Sequence, residues 1–492
     1  MVTPTETPVL LLALLAPMAG AILVMLTGRW PNIREACSFA AAGVMFATVA
    51  SLVRPVLAGQ KLVCHLFHIL PGVSVTLRAD SFSMVFALVA SLLWVLTVVY
   101  SMGYMRGLEE HAQTRFNACF ALALFGAIGC AFSDNLFTLY LFYEIVSITT
   151  YPLVAHHQDE EGYEGGRKYL VYLTATAKAL VLPALIVTYV MCGTLDFSDN
   201  IRTGIFPDGS SRVMVTIVYA CLILGFAKNG IMPFHHWLPG AMVAPTPVSA
   251  LLHAVAVVKV GVFSTTRVML FLFGTDTMSA FNLGIPTAYF VSFTILAASL
   301  VALSKDNLKM RLAYSTVSQL SYVILGVALL TPAGIAGGIV HIVNHAFAKI
   351  TLFFCAGAIY VASHKKNISE MKGLGRAMPW TFAAFAIASL SMIGAPPVGG
   401  FVSKWYLLVG AMDARQIGII VVLLSSTILN VAYFAPVVYQ AYFGTPDPGT
   451  ESHDQHEAAP AILVPLLITA ALSVAVGLYP DFFMRIIKGV FA

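Results

Sequence analysis

Long uninterrupted runs of apolar residues alternate with short polar stretches along the whole chain. A helix needs about 20 mainly apolar residues to cross the roughly 30 Å hydrocarbon core of a bilayer. A membrane β-barrel would instead show short strands of alternating polarity, which these runs do not resemble. The pattern predicts about 14 transmembrane helices, near residues 8–28, 36–57, 80–103, 115–133, 135–155, 167–191, 213–232, 243–271, 286–304, 311–330, 333–361, 379–410, 417–442 and 459–480.

The polar connections between these runs are short. The longest of them fall near residues 59–79, 192–212 and 443–458, and none is long enough for a soluble domain. We therefore predict a single membrane domain over residues 1–492. Within the last connection, the acidic and histidine-containing stretch from Asp447 to Glu457 is interpreted as a solvated loop, with contact to a partner or a metal as the alternative.

The composition supports a membrane class and excludes others. Of the 492 residues, 59% are hydrophobic and 10% are charged. A soluble protein carries roughly 25% charged and 45–50% apolar residues, so a soluble enzyme of this length is excluded. Disorder is excluded for the same reason. The net charge of +4 is spread along the chain, and nucleic acid is not an expected partner. The predicted fold class is an all-α polytopic membrane protein.

Basic residues favour the loops on one side of the predicted bundle. That side carries Arg29, Arg34, Arg106, Arg115, Arg167, Lys168, Lys305, Lys309, Arg311, Lys365, Lys366, Lys372 and Arg376. The other side carries fewer, among them Lys61, Arg78, Arg202, Arg212 and Arg415. The positive-inside rule assigns the first side to the cytoplasm, which predicts a multi-pass inner-membrane protein with both termini on the non-cytoplasmic side. The first apolar run has no basic residue before it, so we expect a retained helix and not a cleaved signal peptide.

The seven cysteines predict no cofactor and no metal centre. None forms a C-x-x-C pair, and most lie inside apolar runs, where small buried thiols are the ordinary interpretation.

Nine ionisable residues lie inside the apolar runs, several residues from the nearest loop. A charge at the centre of a bilayer costs roughly 2.5–3.5 kcal/mol on insertion scales, so such residues tend to face the interior and to mark an ion path. Snorkelling to the interface is the alternative for Lys404, and a structural ion pair is the alternative for Glu144 with Lys228. The set is Glu144, Lys178, Lys228, His253, Lys259, His341, His345, Lys349 and Lys404.

The spacing within this set supports a shared face. His341, His345 and Lys349 follow one another at i, i+4 and i+8, which places them on one stripe of a helix. His253 and Lys259 are six residues apart, about 120° out of register on an ideal helix, and need a local distortion or a broad polar face. Histidine and buried lysine can both gain and lose protons near neutral pH. The sequence therefore predicts a hydrated row that conducts protons.

Helix-breaking residues accompany two of the lysines. Pro233 follows Lys228, and the residues Pro396, Pro397, Gly399 and Gly400 precede Lys404. Two interrupted helices in corresponding positions are typical of an internal repeat with the ion site between its halves. An ordinary proline kink is the alternative for each break taken alone.

At these residues the sequence resembles the antiporter-like membrane subunits shared by respiratory complex I, Mrp-type multisubunit sodium/proton antiporters and membrane-bound hydrogenases. The stretches that carry the resemblance are YEIVSITTYPLV, FAKNGIMPFHHWLPGAMVAPTPVSALLHAVAVVKVGVFSTTR, LKMRLAYSTVSQLSYVILG, HIVNHAFAKITLFFCAGAIY and APPVGGFVSKW. The resemblance implies 14 helices with two inverted five-helix repeats and two broken helices. Its implied division is three N-terminal helices over 1–103, the first repeat over 115–271, the second repeat over 286–442 and a last helix within 459–492.

The resemblance also implies residue roles. Glu144 corresponds to the glutamate of the fifth helix and Lys228 to its lysine partner on the seventh. His253 and Lys259 correspond to the relay on the eighth helix, the histidine/lysine stripe to that on the eleventh, and Lys404 to the terminal lysine of the twelfth. Lys178 departs from the family pattern, and we interpret it either as an added relay step or as a partner of Glu144.

The leading hypothesis is a proton-conducting subunit of a hetero-oligomeric membrane complex that exchanges sodium for protons in the Mrp manner. The alternative is a proton-pumping subunit of a redox-driven complex of the complex I, hydrogenase-linked or formate-linked kind. The chain has no flavin, iron–sulfur or nucleotide motif, so in that alternative other subunits would hold the redox centres. Two further alternatives are an inactive scaffold, which the retained buried charges disfavour, and a module that couples ion flow to solute uptake, for which the sequence offers no substrate pocket.

Overall fold

The computed structural model describes residues 5–445 and 456–491, and the side chains of residues 252–255 lie outside that description. The first half of the described chain begins with six helices. They are α1 (Val9–Leu26), α2 (Pro31–Leu57), α3 (Ser81–Gly107), α4 (Gln113–Phe132), α5 (Leu136–Val154) and α6 (Glu160–Cys192).

Two further helices of the first half are irregular. Helix α7 is Arg212–Gly225. Helix α8 is made of four consecutive pieces, α-helical Thr246–Val248, π-helical Ser249–Ala256, α-helical Val257–Arg267 and π-helical Val268–Phe273. Short helical turns between them are Ala227–Asn229, Trp237–Gly240 and Ala241–Val243.

The second half of the described chain is more regular. Its helices are α9 (Gly284–Leu303), α10 (Leu308–Ala328), α11 (Pro332–Ser363), α12 (Pro379–Ile393), α13 (Gly399–Asp413), α14 (Ile417–Phe443), α15 (Pro460–Leu478) and α16 (Asp481–Lys488). Short helical turns are Thr275–Ala280, Ile368–Met371 and Leu374–Ala377.

These elements confirm the polytopic helical fold. Ten helices within the described residues are long and apolar enough to span a membrane. Helices α7, α8, α10 and the broken pair α12 and α13 occupy the other predicted runs, which gives about 14 spans. Both broken helices are present. The division into two repeats, residues 115–271 and 286–442, stays a prediction.

One connection contains structure that the hydropathy pattern did not predict. Residues 59–79, interpreted as a polar loop, form strands β2 (Leu62–Leu70) and β3 (Val73–Ala79), which pair antiparallel around the turn Pro71–Gly72. A third strand, β1 (Thr5–Glu6), pairs parallel to β2. Gly72 has φ of +76°, a left-handed conformation that glycine adopts without strain. The two strand sequences are rich in valine and other residues that favour strands, which explains the hairpin.

Helix α11 lies at the centre of the bundle. In its most apolar stretch of 18 residues, 78% of the residues are buried, compared with 33% in the corresponding stretches of α6 and α14. It packs against α3, α8, α10, α12, α13 and α15. Because α11 has so many neighbours, its polar side chains from His341 to Thr351 are buried in protein and do not face lipid.

Candidate functional site

The structure buries most of the predicted site residues. Six of them, Lys228, Lys259, His341, His345, Lys349 and Lys404, are no more than 7% exposed. Glu144 is half-buried and Lys178 is exposed. The side chain of His253 lies outside the described residues.

The first broken helix positions Lys228. Helix α7 ends at Gly225, ahead of the lysine, so Lys228 lies in the short 3₁₀ turn Ala227–Asn229 and not inside a long helix as the sequence suggested. Its ammonium donates to the backbone carbonyl of Tyr143 at 2.9 Å and to the hydroxyl of Ser147 at 2.6 Å, both on α5. The same nitrogen lies 3.2 Å from the centre of the Tyr143 ring. These contacts hold the Lys228 side chain against α5.

Helix α8 packs tightly against this turn. A Cβ atom on Gly261 would clash with the backbone of Lys228 and Asn229. The Asn229 amide donates to the hydroxyl of Thr265 at 3.2 Å and to the carbonyl of Ile223 at 3.0 Å, which connects the turn to α8 and α7. Because Gly261 has no side chain, the helix that carries Lys259 can approach the backbone of Lys228 closely.

Glu144 is near Lys228 but does not contact it directly. Among the ion pairs of the described residues, none joins Glu144 to Lys228 or to Lys178 within 4.0 Å. The charges of both lysines nevertheless act on the carboxylate. One oxygen of the Glu144 carboxylate is buried and has no hydrogen-bond partner among the described residues. A direct structural ion pair between Glu144 and Lys228 is therefore not formed.

Lys178 lies on a π-helical turn, Ala177–Val181, in the middle of α6, and it is exposed. Its role as an added relay step or as a partner of Glu144 stays a prediction.

The centre of the site joins α8 to α11. Helix α11 packs against α8, and the charge of Lys259 acts on His341, His345 and Lys349. The rings of His341 and His345 are 5.9 Å apart. The π-helical piece Ser249–Ala256, which precedes Lys259, supplies the local distortion that the spacing of His253 and Lys259 required.

Three of these central side chains have no hydrogen-bond partner within the described residues. They are the ammonium groups of Lys259 and Lys349 and both ring nitrogens of His345. A buried polar group without a partner costs free energy. Such groups in a protein that spans a membrane point to a hydrated interior where protons are exchanged.

The second broken helix positions Lys404. Helix α12 ends at Ile393 and α13 begins at Gly399, and Lys404 lies in the second turn of α13. Its ammonium donates to the carbonyl of Ile393 at 2.7 Å and to the hydroxyl of Thr427 at 3.3 Å. The carbonyl end of a helix carries partial negative charge, so it favours a cation there. The side chain is directed at protein, and snorkelling does not describe it.

Two residues connect this lysine to the central stripe. The Ser403 hydroxyl lies 2.9 Å from Nδ1 of His341. The ring of Tyr322 lies 5.4 Å from the His341 ring and 5.4 Å from the Lys404 ammonium. A Cβ atom on Gly400 would clash with the carbonyl of Ser391, so glycine allows α13 to approach α12 at the break. Ser403 and Tyr322 therefore connect Lys404 to the α11 stripe.

A second buried cluster of charges escaped sequence analysis. Arg267, at the end of an α-helical piece of α8, is fully buried, and its Nη1 donates to Asp80 at 2.6 Å. Arg78 lies 3.4 Å from Asp80 and 3.0 Å from Asp134. The signal in the sequence was an arginine inside the apolar run 257–273, but its partner Asp80 is 187 residues away.

The predicted acidic loop is described only in part. Residues 447–455 lie outside the described residues. Glu457 accepts hydrogen bonds from the backbone N–H of Trp380 at 2.6 Å and of Thr381 at 3.1 Å. It therefore caps the N-terminus of α12, where a carboxylate is favoured.

Comparison with known proteins places this architecture among membrane-bound complexes. Residues 133–430 match the family described as NADH:quinone oxidoreductase/Mrp antiporter, TM, and residues 71–117 match the N-terminus of chain 5 of NADH-ubiquinone oxidoreductase (complex I). Among curated relatives, NADH-quinone oxidoreductase subunit N of Desulforudis audaxviator is 29% identical over 96% of this chain and 95% of its own length. NADH-quinone oxidoreductase subunit L of Mycobacterium tuberculosis is 31% identical over 94% of this chain and 73% of its own length.

Among solved structures, a chain of the Mrp complex from Dietzia sp. DQ12-45-1b superposes with a TM-score of 0.87. It is 22% identical, and the match covers 99% of this chain and 96% of that chain. At 22% identity, this similarity shows that the two chains share a fold.

Proposed function

The chain belongs to the NADH:quinone oxidoreductase/Mrp antiporter family of membrane subunits, and from that premise we propose that it conducts protons along the buried row from Glu144 to Lys404 within a multi-subunit complex. We propose further that the complex exchanges sodium for protons in the Mrp manner.

The observation that carries the proposal is the arrangement around Lys259. Its ammonium, that of Lys349 and the ring of His345 are buried together without hydrogen-bond partners in the described residues. Each of these groups can accept or release a proton when burial and neighbouring charges change. Water is the medium that can join such groups in an interior that excludes lipid. The row is therefore suited to proton hopping and not to static pairing.

The two ends of the row supply the switch and the outlet in this proposal. A carboxylate nearby favours the charged form of a lysine, and its loss favours the neutral form. A change at Glu144 would therefore alter the proton affinity of Lys228, whose carbonyl and hydroxyl partners on α5 hold it in place. The first repeat, residues 115–271, would contain this switch together with His253 and Lys259. The second repeat, residues 286–442, would contain the α11 stripe and the outlet at Lys404.

The membrane potential would drive the exchange. It supplies about 2.3 kcal/mol per elementary charge per 100 mV, so an exchange that moves net charge can be driven by it. The support for antiport is the similarity in fold to a chain of an Mrp complex and the family description that includes Mrp antiporters.

The second candidate function is proton pumping driven by redox chemistry in partner subunits. It is favoured by the two relatives that are subunits of NADH-quinone oxidoreductases. The row would work in the same way, and the energy would come from a partner that holds the redox centres. Iron in the purified complex, together with genes for redox subunits beside this one, would identify that function.

The test is proton flux in vesicles that contain the whole complex, measured with and without sodium. We expect Lys228→Ala and Glu144→Ala each to abolish flux while the complex still assembles. The matched control is Lys168→Ala, which removes a half-exposed lysine in a surface pair with Glu164 on α6 and should leave flux unchanged. Wild-type flux in Lys228→Ala would contradict the relay. Flux that requires redox substrate and ignores sodium would favour the second candidate over antiport.

A further inference from the structure

A second group of ionisable side chains lies apart from the row, where the loop after α3 meets the loop after α5. It consists of Glu110 and His111 from the first loop and His156 and His157 from the second. Neither pair belongs to the proposed proton path. Imidazole and carboxylate groups are the ligands that zinc and similar transition metals select.

The donor atoms in this group are close to one another. One donor atom from each of Glu110, His111 and His156 lies within 4.8 Å of the others. Oε2 of Glu110 is 3.7 Å from Nε2 of His156 and 3.6 Å from Nδ1 of His157. Ligands at the usual zinc distances of about 2.0–2.1 Å in a tetrahedron are roughly 3.4 Å apart. Side-chain rotations that move these donor atoms by about 1 Å would therefore bring them to a coordination geometry.

The condition of His156 is an independent indication of a ligand. The residue is completely buried, and no side chain among the described residues hydrogen-bonds to its ring, which interacts instead with the backbone of His111. A ring nitrogen that this backbone contact leaves without a partner is costly to bury, and a metal ion would satisfy it.

Solvent can reach the group. Glu110 and His157 line an open cavity of about 570 Å³, together with residues at the start of α8 and α10 such as Thr246 and Lys309. Two cations lie nearby: the Arg115 guanidinium donates to the backbone carbonyl of His156 at 2.8 Å, and Lys309 interacts with the charge of Glu110. An ion therefore has a route in and one anionic ligand.

We propose that Glu110, His111 and His156, with His157 as the fourth ligand, form a binding site for a divalent transition metal cation of the zinc class. The bound ion ties the loop at 108–112 to the loop at 155–157. Hard cations such as magnesium are disfavoured because they take oxygen ligands. The site is independent of the proton path, so its presence does not depend on the proposed function.

The experiment is a titration of the purified full-length chain, without a polyhistidine tag, with Co²⁺ followed by Zn²⁺. Tetrahedral Co²⁺ absorbs visible light strongly, and Zn²⁺ displaces it. We expect one Co²⁺ site that Zn²⁺ empties. Loss of a residue that merely supports a metal ligand weakens affinity about 10–100-fold. We therefore expect Glu110→Gln and His111→Ala, which remove ligands, each to weaken affinity at least tenfold.

Two features of the design make the result decisive. His111 is exposed, so His111→Ala should keep the fold, which an unchanged thermal midpoint without metal would verify. The control is His68→Ala, which removes an exposed histidine on β2 and should leave the affinity unchanged. Equal affinity in wild type, Glu110→Gln and His111→Ala would overturn the proposal. So would binding that disappears only in His68→Ala.

Discussion

Two groups of buried charges in this protein are built in opposite ways. Around Arg267, each charge faces an opposite charge, and the guanidinium also lies 4.7–5.6 Å from the centres of four phenylalanine rings. Between α8 and α11, the buried groups are all basic, and Lys259 and Lys349 have no hydrogen-bond partner in the described residues. Both groups include residues of α8.

The difference separates two uses of buried charge. Removing one member of a buried ion pair is costly because the other member keeps its charge in a poorly solvated place. A basic group without a partner can instead lose its proton and become neutral, so its removal leaves nothing unpaired. We infer that the Arg267 cluster holds helices together and that the α8–α11 row carries protons.

The largest effect on stability should follow from breaking the paired cluster. Asp80→Asn keeps an oxygen for the N-cap of α3, which accepts from the Ser83 N–H at 2.8 Å, but removes the charge opposite Arg267. We expect the free energy of unfolding to fall by about 3 kcal/mol, the lower end for a broken buried ion pair. The measurement is the unfolding midpoint of the purified chain in detergent.

The matched control for this change is Asp199→Asn. Asp199 pairs with Lys61 and Arg78, but its side chain is 63% exposed, so we expect a loss below about 1 kcal/mol. Equal losses in the two variants would mean that burial of the Arg267 cluster contributes nothing special to stability.

A smaller effect should follow from a change in packing that touches no charge. In Gly400→Ala the added methyl group meets the Ser391 carbonyl, so α13 must move away from α12 and carry Lys404 with it. We expect a loss of about 1–3 kcal/mol, the range for overpacking, together with reduced flux. Gly43→Ala is the control, because nothing lies within 4 Å of a Cβ atom at that position. Full flux in Gly400→Ala would show that the position of Lys404 at the break is not critical.

The comparison also explains what the sequence could predict. The α11 stripe followed from the spacing of His341, His345 and Lys349, because residues four apart on a helix share a face whatever else the fold does. The inward direction followed from the cost of charge in lipid. The two broken helices followed from their prolines and glycines, which disfavour a continuous helix.

The features that the sequence did not predict depend on long-range placement or on altered helical geometry. Arg267 and Asp80 meet only because α8 and α3 are neighbours, and no local pattern encodes that. The π-helical turn at 177–181 changes the direction of side chains on α6, so an ideal helix could not predict that Lys178 is exposed. The β2–β3 hairpin was missed because hydropathy alone marked its residues as a loop.

A pH-dependent effect is expected from His156, which is buried like the row but lies outside the membrane spans. Burial and the nearby His111 lower its pKa to about 3 from 6.5. The unfolded chain therefore binds a proton below about pH 6.5 that the folded chain binds only near pH 3. Stability should decline as the pH falls through this interval.

The measurement is the unfolding midpoint from pH 7.5 to pH 5 in the presence of a chelator. His156→Gln should flatten the decline, whereas His68→Gln, at an exposed position, should not. An identical pH dependence in all three proteins would mean that His156 is not a neutral buried base.

The smallest effect on stability, and the sharpest test of the comparison, is expected from Lys349→Met. Lys349 is fully buried, its ammonium has no hydrogen-bond partner in the described residues, and it lies 5.5 Å from the centre of the Phe434 ring. Methionine fills similar space without a polar group, and replacing a buried charge by a well-packed apolar residue is often neutral or stabilising. We expect the free energy of unfolding to change by less than about 1 kcal/mol or to rise, while proton flux in vesicles falls at least tenfold. Lys488→Met, at an exposed position on α16, should change neither quantity. A large loss of stability in Lys349→Met would mean that the row is held by interactions like those around Arg267, and the distinction between the two groups of charges would then be wrong.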